Sequence, residues 1–161
     1  MLIAMMIWMT SVQAQCQLYD RLGSELHCLP DQDYIHSYGL PYCLKFSRAA
    51  DNFTLSGLEW MIKTRTCLQD QFSTIVQSTT NCQEIRNRAF GSHAGCYVAS
   101  GVCRLPPSDL IVITQIIGLQ HLFLDSNALK QQVQTLWGCT RDALDRFGDY
   151  LKHHAWPANK Q

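Results

Sequence analysis

Apolar side chains recur every three or four residues over most of this chain, and alternation with period two is nearly absent. The strongest stripe joins Leu58, Met61, Ile62, Leu68, Phe72, Ile75 and Val76, which predicts a helix of about five turns with Ser56 as its cap. Before it, Tyr38-Gly39-Leu40-Pro41 reads as a turn that places Pro41 at the first position of a short helix ending near Ala50. After it comes the polar cluster Gln77 to Asn81, and a third helix is predicted from Gln83 to Phe90. Gly91 to Gly95 is expected to break that helix, leaving Tyr97 to Cys103 as a short pinned segment.

Pro106-Pro107-Ser108 marks a stop followed by a cap, and Leu110 to Leu124 is apolar almost all round. Its length predicts a buried helix rather than a strand, and Gln115, Gln120 and His121 argue against a membrane span. Ser126 then starts a final helix whose apolar face is Leu129, Val133, Leu136, Ala143, Leu144, Phe147 and Leu151. Gly138 and Gly148 each weaken it by about 1 kcal/mol relative to Ala, so it is expected to fray beyond Phe147. Two regions lack a period. Residues 15–40, with Gly23, Pro30 and scattered aspartates, are expected to form a loop-rich arm, and 153–161 a mobile tail. The reading is one all-α domain of about five helices over 41–152.

Residues 1–14 read as a secretory signal. Leu2 to Met9 is a short apolar run, and Val12-Gln13-Ala14 sets small residues at a cleavage point before Gln15. A buried N-terminal helix is the competing reading, since the usual positive start is missing. Thirteen basic and thirteen acidic residues cancel without any basic block, so neither nucleic acid nor an anionic membrane is an expected partner. All eight cysteines follow the cleavage point, and no two are spaced C-x-x-C. An even count suits complete pairing in an oxidising compartment and gives no support to a zinc ribbon or redox motif. Spacing alone cannot choose among the roughly 105 pairings of eight cysteines. Asn52-Phe53-Thr54 is the one N-x-[ST] sequence, set between the first two helices, so Asn52 is the expected glycosylation site.

The chemistry of catalysis finds little to build on. His93 lies three residues before Cys96, yet a thiol–histidine pair needs a free thiolate, and an even cysteine count leaves none. His93 is therefore expected in a loop without a catalytic role, His121 as a core histidine, and His153-His154 as too frayed to build a metal site. Tyr38 to Cys43 bears a faint likeness to the calcium loop of secreted phospholipase A2, without its glycines or its Cys-Cys-x-x-His-Asp helix. Asp31 and Asp33 begin no calcium loop, and no phosphate loop, nucleophile elbow or zinc-protease helix occurs. The chain is read as a non-enzyme with no cofactor and no metal. Trp60 and Trp156 are candidates for an exposed contact surface.

From Cys43 to Cys139 the chain resembles the stanniocalcins, a family of secreted helical glycoprotein hormones. The matching positions are Cys43-Leu44-Lys45-Phe46, Ala50, Phe53, Gly57, Trp60, Cys67, Cys82, Cys96-Tyr97, Val102-Cys103 and Cys139. The resemblance implies the disulfides Cys67–Cys96 and Cys103–Cys139. Cys43 and Cys82 then each take an N-terminal cysteine, by order Cys16–Cys43 and Cys28–Cys82, with the swapped pairing still open. Stanniocalcins carry further N-terminal cysteines and a C-terminal extension whose cysteine links two subunits. This chain has neither, so a covalent homodimer is not expected, while a non-covalent one stays open. The function implied is that of an extracellular hormone or regulatory factor with a protein partner, a receptor or a proteinase. The family roles are calcium and phosphate balance and inhibition of pappalysin-type metalloproteinases. The alternative is an extracellular carrier of a small hydrophobic ligand, built like other disulfide-linked helical bundles.

Overall fold

The structure, a computed structural model, describes residues 16–118 and 134–145. The signal segment, His121, Ser126, Phe147, Trp156 and the tail lie outside those residues. Helices account for most of the described chain, and no strand occurs within it. In chain order they are α1 (Gln17–Glu25), a π-turn (Ile35–Gly39), α2 (Leu40–Arg48), a 3-10 turn (Ala50–Asn52), α3 (Leu55–Ser78), α4 (Cys82–Ala99), a second 3-10 turn (Val102–Arg104), α5 (Pro107–Ile117) and α6 (134–145).

The long helices α3 and α4 form an antiparallel pair. Three residues join them, Arg88 Nη1 reaches back to Ser78 Oγ at 2.7 Å, and the far end is tied by Cys67–Cys96 and by Trp60 Nε1 donating to Tyr97 O at 3.3 Å. Thr54, not Ser56, caps α3, accepting from Gly57 N, and Asn81 caps α4, accepting from Glu84 N. The predicted break at Gly91 to Gly95 does not occur, and α4 runs through both glycines to Ala99. Neither glycine has positive φ, and both face open space, so each weakens the helix without interrupting it. Burial of Ala89, Phe90, His93, Ala94 and Cys96 on the inner face outweighs that loss.

The arm expected to be loop-rich contains α1. Nine residues are too few for a helix to persist alone in water. This one is held at its start by Cys16–Cys43 and packed through Tyr19, Leu22 and Leu26. The π-turn runs directly into α2. Leu40 N–H donates to Ile35 O, a wide turn just ahead of Pro41, which has no N–H of its own. Asp33 holds the front of that turn, accepting from His36 N at 3.0 Å and pairing with His36 Nδ1 at 2.6 Å.

The core has two parts. One gathers Tyr19, Tyr34, Ile35, Phe72, Ile75, Ile85 and Phe90; the other gathers Ala50, Phe53, Trp60 and Met61, with Phe46, Val112, Ile113 and Ile116 against them. Trp60 therefore belongs to the interior rather than to an exposed surface. The first turns of the predicted buried helix behave otherwise than expected: α5 packs Val112, Ile113 and Ile116, each partly buried, against the core and leaves Leu110 and Ile111 exposed. Likewise Leu136 and Leu144, assigned to an inward face, are exposed on α6, as is Trp137. α6 touches the body at its middle, where Gly138 lies so close to Val98 that a Cβ would stand 2.7 Å from Val98 Cγ2.

Candidate functional site

All eight cysteines are paired: Cys16–Cys43, Cys28–Cys82, Cys67–Cys96 and Cys103–Cys139. They join, in turn, the start of α1 to α2, the segment after α1 to the head of α4, α3 to α4, and the second 3-10 turn to α6. These coincide with the pairs implied by the resemblance and with the ordered choice for Cys16 and Cys28. In the chain-entropy view, closing loops with separations of 27 to 54 residues contributes roughly 3.5–4 kcal/mol per bridge. An all-α, disulfide-stapled body of this kind suits an oxidising, extracellular setting.

Between the two parts of the core lies a cavity of about 60 Å³. It is assembled from four faces, each readable as helical spacing. Tyr34, Tyr38, Tyr42 and Phe46 follow one another at four-residue intervals through the π-turn and α2. Trp60, Thr64 and Leu68 do the same on α3, with Arg65 beside them. His93 and Tyr97 come from α4, and Tyr19 from α1. Because these rings arrive from four segments pinned by Cys16–Cys43 and Cys67–Cys96, the cavity depends on the disulfide frame that surrounds it.

The polar groups at the cavity are few and specific. His93, expected in a loop, sits inside α4 with 1% exposure, its Nε2 2.8 Å from Tyr34 Oη and its Nδ1 3.4 Å from Tyr97 Oη. Through its two ring nitrogens His93 links the two tyrosines on either side of the core seam. It does not pair with Cys96, whose sulfur is bonded to Cys67. Burial pushes Tyr34 well above the ordinary tyrosine value, raises Tyr97 in the same direction and lifts Tyr19 to about 12. These hydroxyls are neutral hydrogen-bonding groups at any physiological pH.

On α3, Thr64 is 95% buried, and its hydroxyl has no hydrogen-bond partner among the described residues. Its neighbour Arg65 is half-buried, with Nη1 donating to Ser47 Oγ at 2.9 Å, and desolvation pulls its guanidinium below the usual value. Ser47 Oγ in turn donates to Cys43 O at 2.9 Å. No Asp or Glu among the described residues lines the cavity.

The remaining candidate residues are placed apart from it. Asn52 is exposed at the end of the first 3-10 turn, with Phe53 buried behind it. Thr54, third in that sequon, is the α3 cap and also donates through Oγ1 to Asp109 Oδ2 at 2.6 Å, while its N–H donates to Asp109 Oδ1 at 2.9 Å. Asp109 is fully buried, a carboxylate from α5 fastened to the N-terminus of α3. Among the described residues no group of three His, Cys, Asp or Glu side chains is placed to hold a metal, and no helix is long and apolar enough to cross a membrane.

Compared with family models, curated proteins and solved structures, the chain finds no match in any of the three.

Proposed function

We propose that this chain is a secreted, stanniocalcin-like glycoprotein that works outside the cell as a regulatory binding factor, with a receptor or a proteinase as its partner. The observation that carries this reading is the set of four disulfides. Their pairing has the order implied by the stanniocalcin resemblance. A frame with every cysteine cross-linked also suits a molecule that must persist outside the reducing cell. The exposed Asn52 supports the glycoprotein part of the reading. No metal, cofactor or catalytic side chain enters this proposal; the molecule acts by contact. The test is inhibition: protein secreted from eukaryotic cells is titrated into a pappalysin-type metalloproteinase and cleavage of its protein substrate is followed. Stoichiometric loss of cleavage is the expected result. Full cleavage in the presence of excess protein removes the proteinase branch of the reading.

A second reading, an extracellular carrier of a small hydrophobic ligand, is favoured by one observation, the aromatic cavity at the core seam. Native mass spectrometry of the secreted protein distinguishes the two. A carrier arrives with organic mass that solvent extraction removes, and a contact factor arrives without it.

A further inference from the structure

Resting on the carrier reading of the cavity, we propose that it is a binding site for a small organic carboxylate, whose anionic end is received by Arg65 and Thr64 and whose short alkyl or ring portion lies among the surrounding aromatic rings. The size of the cavity sets the scale. A cavity of about 60 Å³, where a single water needs roughly 10–15 Å³, has room for a group of a few heavy atoms. Long-chain lipids are too large for it. Several lining residues, among them Tyr38, Phe46, Arg65 and Leu68, are part-exposed, so the cavity is not sealed and a ligand slightly larger than it extends outward.

The charge pattern decides which kind of head group enters. Rings on every side would suit a cation by their π-faces. Arg65, however, already places a positive charge in the wall, and no carboxylate among the described residues lines the cavity to offset a second one. An anion gains a charge-assisted hydrogen bond from the guanidinium fork, which is stronger in a partly desolvated site. Thr64 supplies an independent indication. A hydroxyl that is buried without a partner is destabilising as it stands, and an acceptor oxygen entering the cavity would satisfy it. Arg65 and Thr64 both come from α3 and both line the same space. The π-turn supports the same place, since it brings Tyr38 and Gly39 into the lining and such wide turns recur at functional sites.

The experiment is titration calorimetry, with thermal shift beside it, on the secreted, disulfide-intact protein. The probes are sodium isovalerate, its neutral counterpart isovaleramide, and tetramethylammonium chloride. Isovalerate is expected to bind and to raise Tm with concentration. Isovaleramide should bind about tenfold or more weakly for want of the charge-assisted bond, and tetramethylammonium not at all. Thr64→Val keeps the shape of the side chain and is expected to fold at least as stably while weakening isovalerate. Arg65→Gln should abolish the preference for the anion; should that variant fail to fold, Arg65→Lys is expected to keep the preference with reduced affinity. Equal affinity for isovalerate and isovaleramide, no binding of either, or unchanged isovalerate affinity in Thr64→Val overturns the proposal. If the secreted protein carries a small extractable organic ligand while isovalerate fails to bind, this proposal is overturned and the carrier reading is left standing.

Discussion

Asp109 and Gly57 act as one unit. A Cβ on Gly57 would lie 2.6 Å from the Asp109 carboxylate and 2.7 Å from the Phe53 ring, so only glycine lets the carboxylate reach the head of α3. The carboxylate there accepts two hydrogen bonds from Thr54 and lies at the positive end of the helix dipole. Gly57→Ala is therefore expected to cost about 1–3 kcal/mol by overpacking. Asp109→Asn is expected to lose about 1.5–3 kcal/mol, the worth of hydrogen bonds to a charged acceptor. Urea unfolding measures both, and wild-type stability in either variant would sink the clamp. The buried tyrosines add a pH dependence. Tyr19 keeps its proton to about 12 because of burial, against 10.0 for an ordinary tyrosine, and Tyr34 and Tyr97 are shifted the same way. The unfolded chain releases those protons first, so their contribution is intact below about pH 10, falls above it and continues to fall up to about 12. Absorbance titration of the phenols should show part of the tyrosine signal delayed until the protein unfolds. Ionisation of every tyrosine near its ordinary value would contradict their burial.

At the scale of elements, the apolar stripes were legible and their interruptions were not. The stripe from Leu58 to Val76 marked α3 because its period holds over many turns. α4 was predicted half as long, because glycine is read as a breaker. Here Gly91 and Gly95 point to open space while their neighbours are buried. Each is then a removable weakness: Gly91→Ala and Gly95→Ala are expected to stabilise the protein by about 0.5–1 kcal/mol each. A fall in Tm for either variant would mean that the outer face of α4 is covered. α1 escaped sequence reading for the opposite reason. It is too short to declare itself, and a disulfide and packing that local pattern cannot show hold it in place. The same limit governed the candidate site. Four aromatics at four-residue spacing, Tyr34 to Phe46, are visible in the sequence but divide there among a loop-rich arm, a turn and a helix. That they meet Trp60, Thr64, His93 and Tyr97 depends on how α3 and α4 are clamped together. The loop position given to His93 followed directly from the misplaced break in α4.

For the whole molecule, the disulfides govern stability and suit an oxidising setting. Cys28–Cys82 closes the longest loop, at a separation of 54 residues, and replacing both cysteines with serine is expected to lose roughly 4 kcal/mol. Denaturant unfolding of the purified variant measures this, and a loss under about 1 kcal/mol would mean that the arm is held by packing alone. The sequon is tested separately from the fold. Asn52→Gln should remove glycan mass and leave unfolding unchanged, because Asn52 is exposed. Thr54→Ala should remove the glycan and also weaken the protein, because Thr54 caps α3 and holds Asp109. The most direct test of the account is non-reducing peptide mapping by mass spectrometry on protein recovered from the medium of eukaryotic cells. The expected result is a chain beginning at Gln15, hexose-bearing mass on Asn52, no free thiol, and the cross-links Cys16–Cys43, Cys28–Cys82, Cys67–Cys96 and Cys103–Cys139. A chain retained inside the cell with free thiols, or one secreted with Cys67 and Cys96 bonded to other partners, would contradict it.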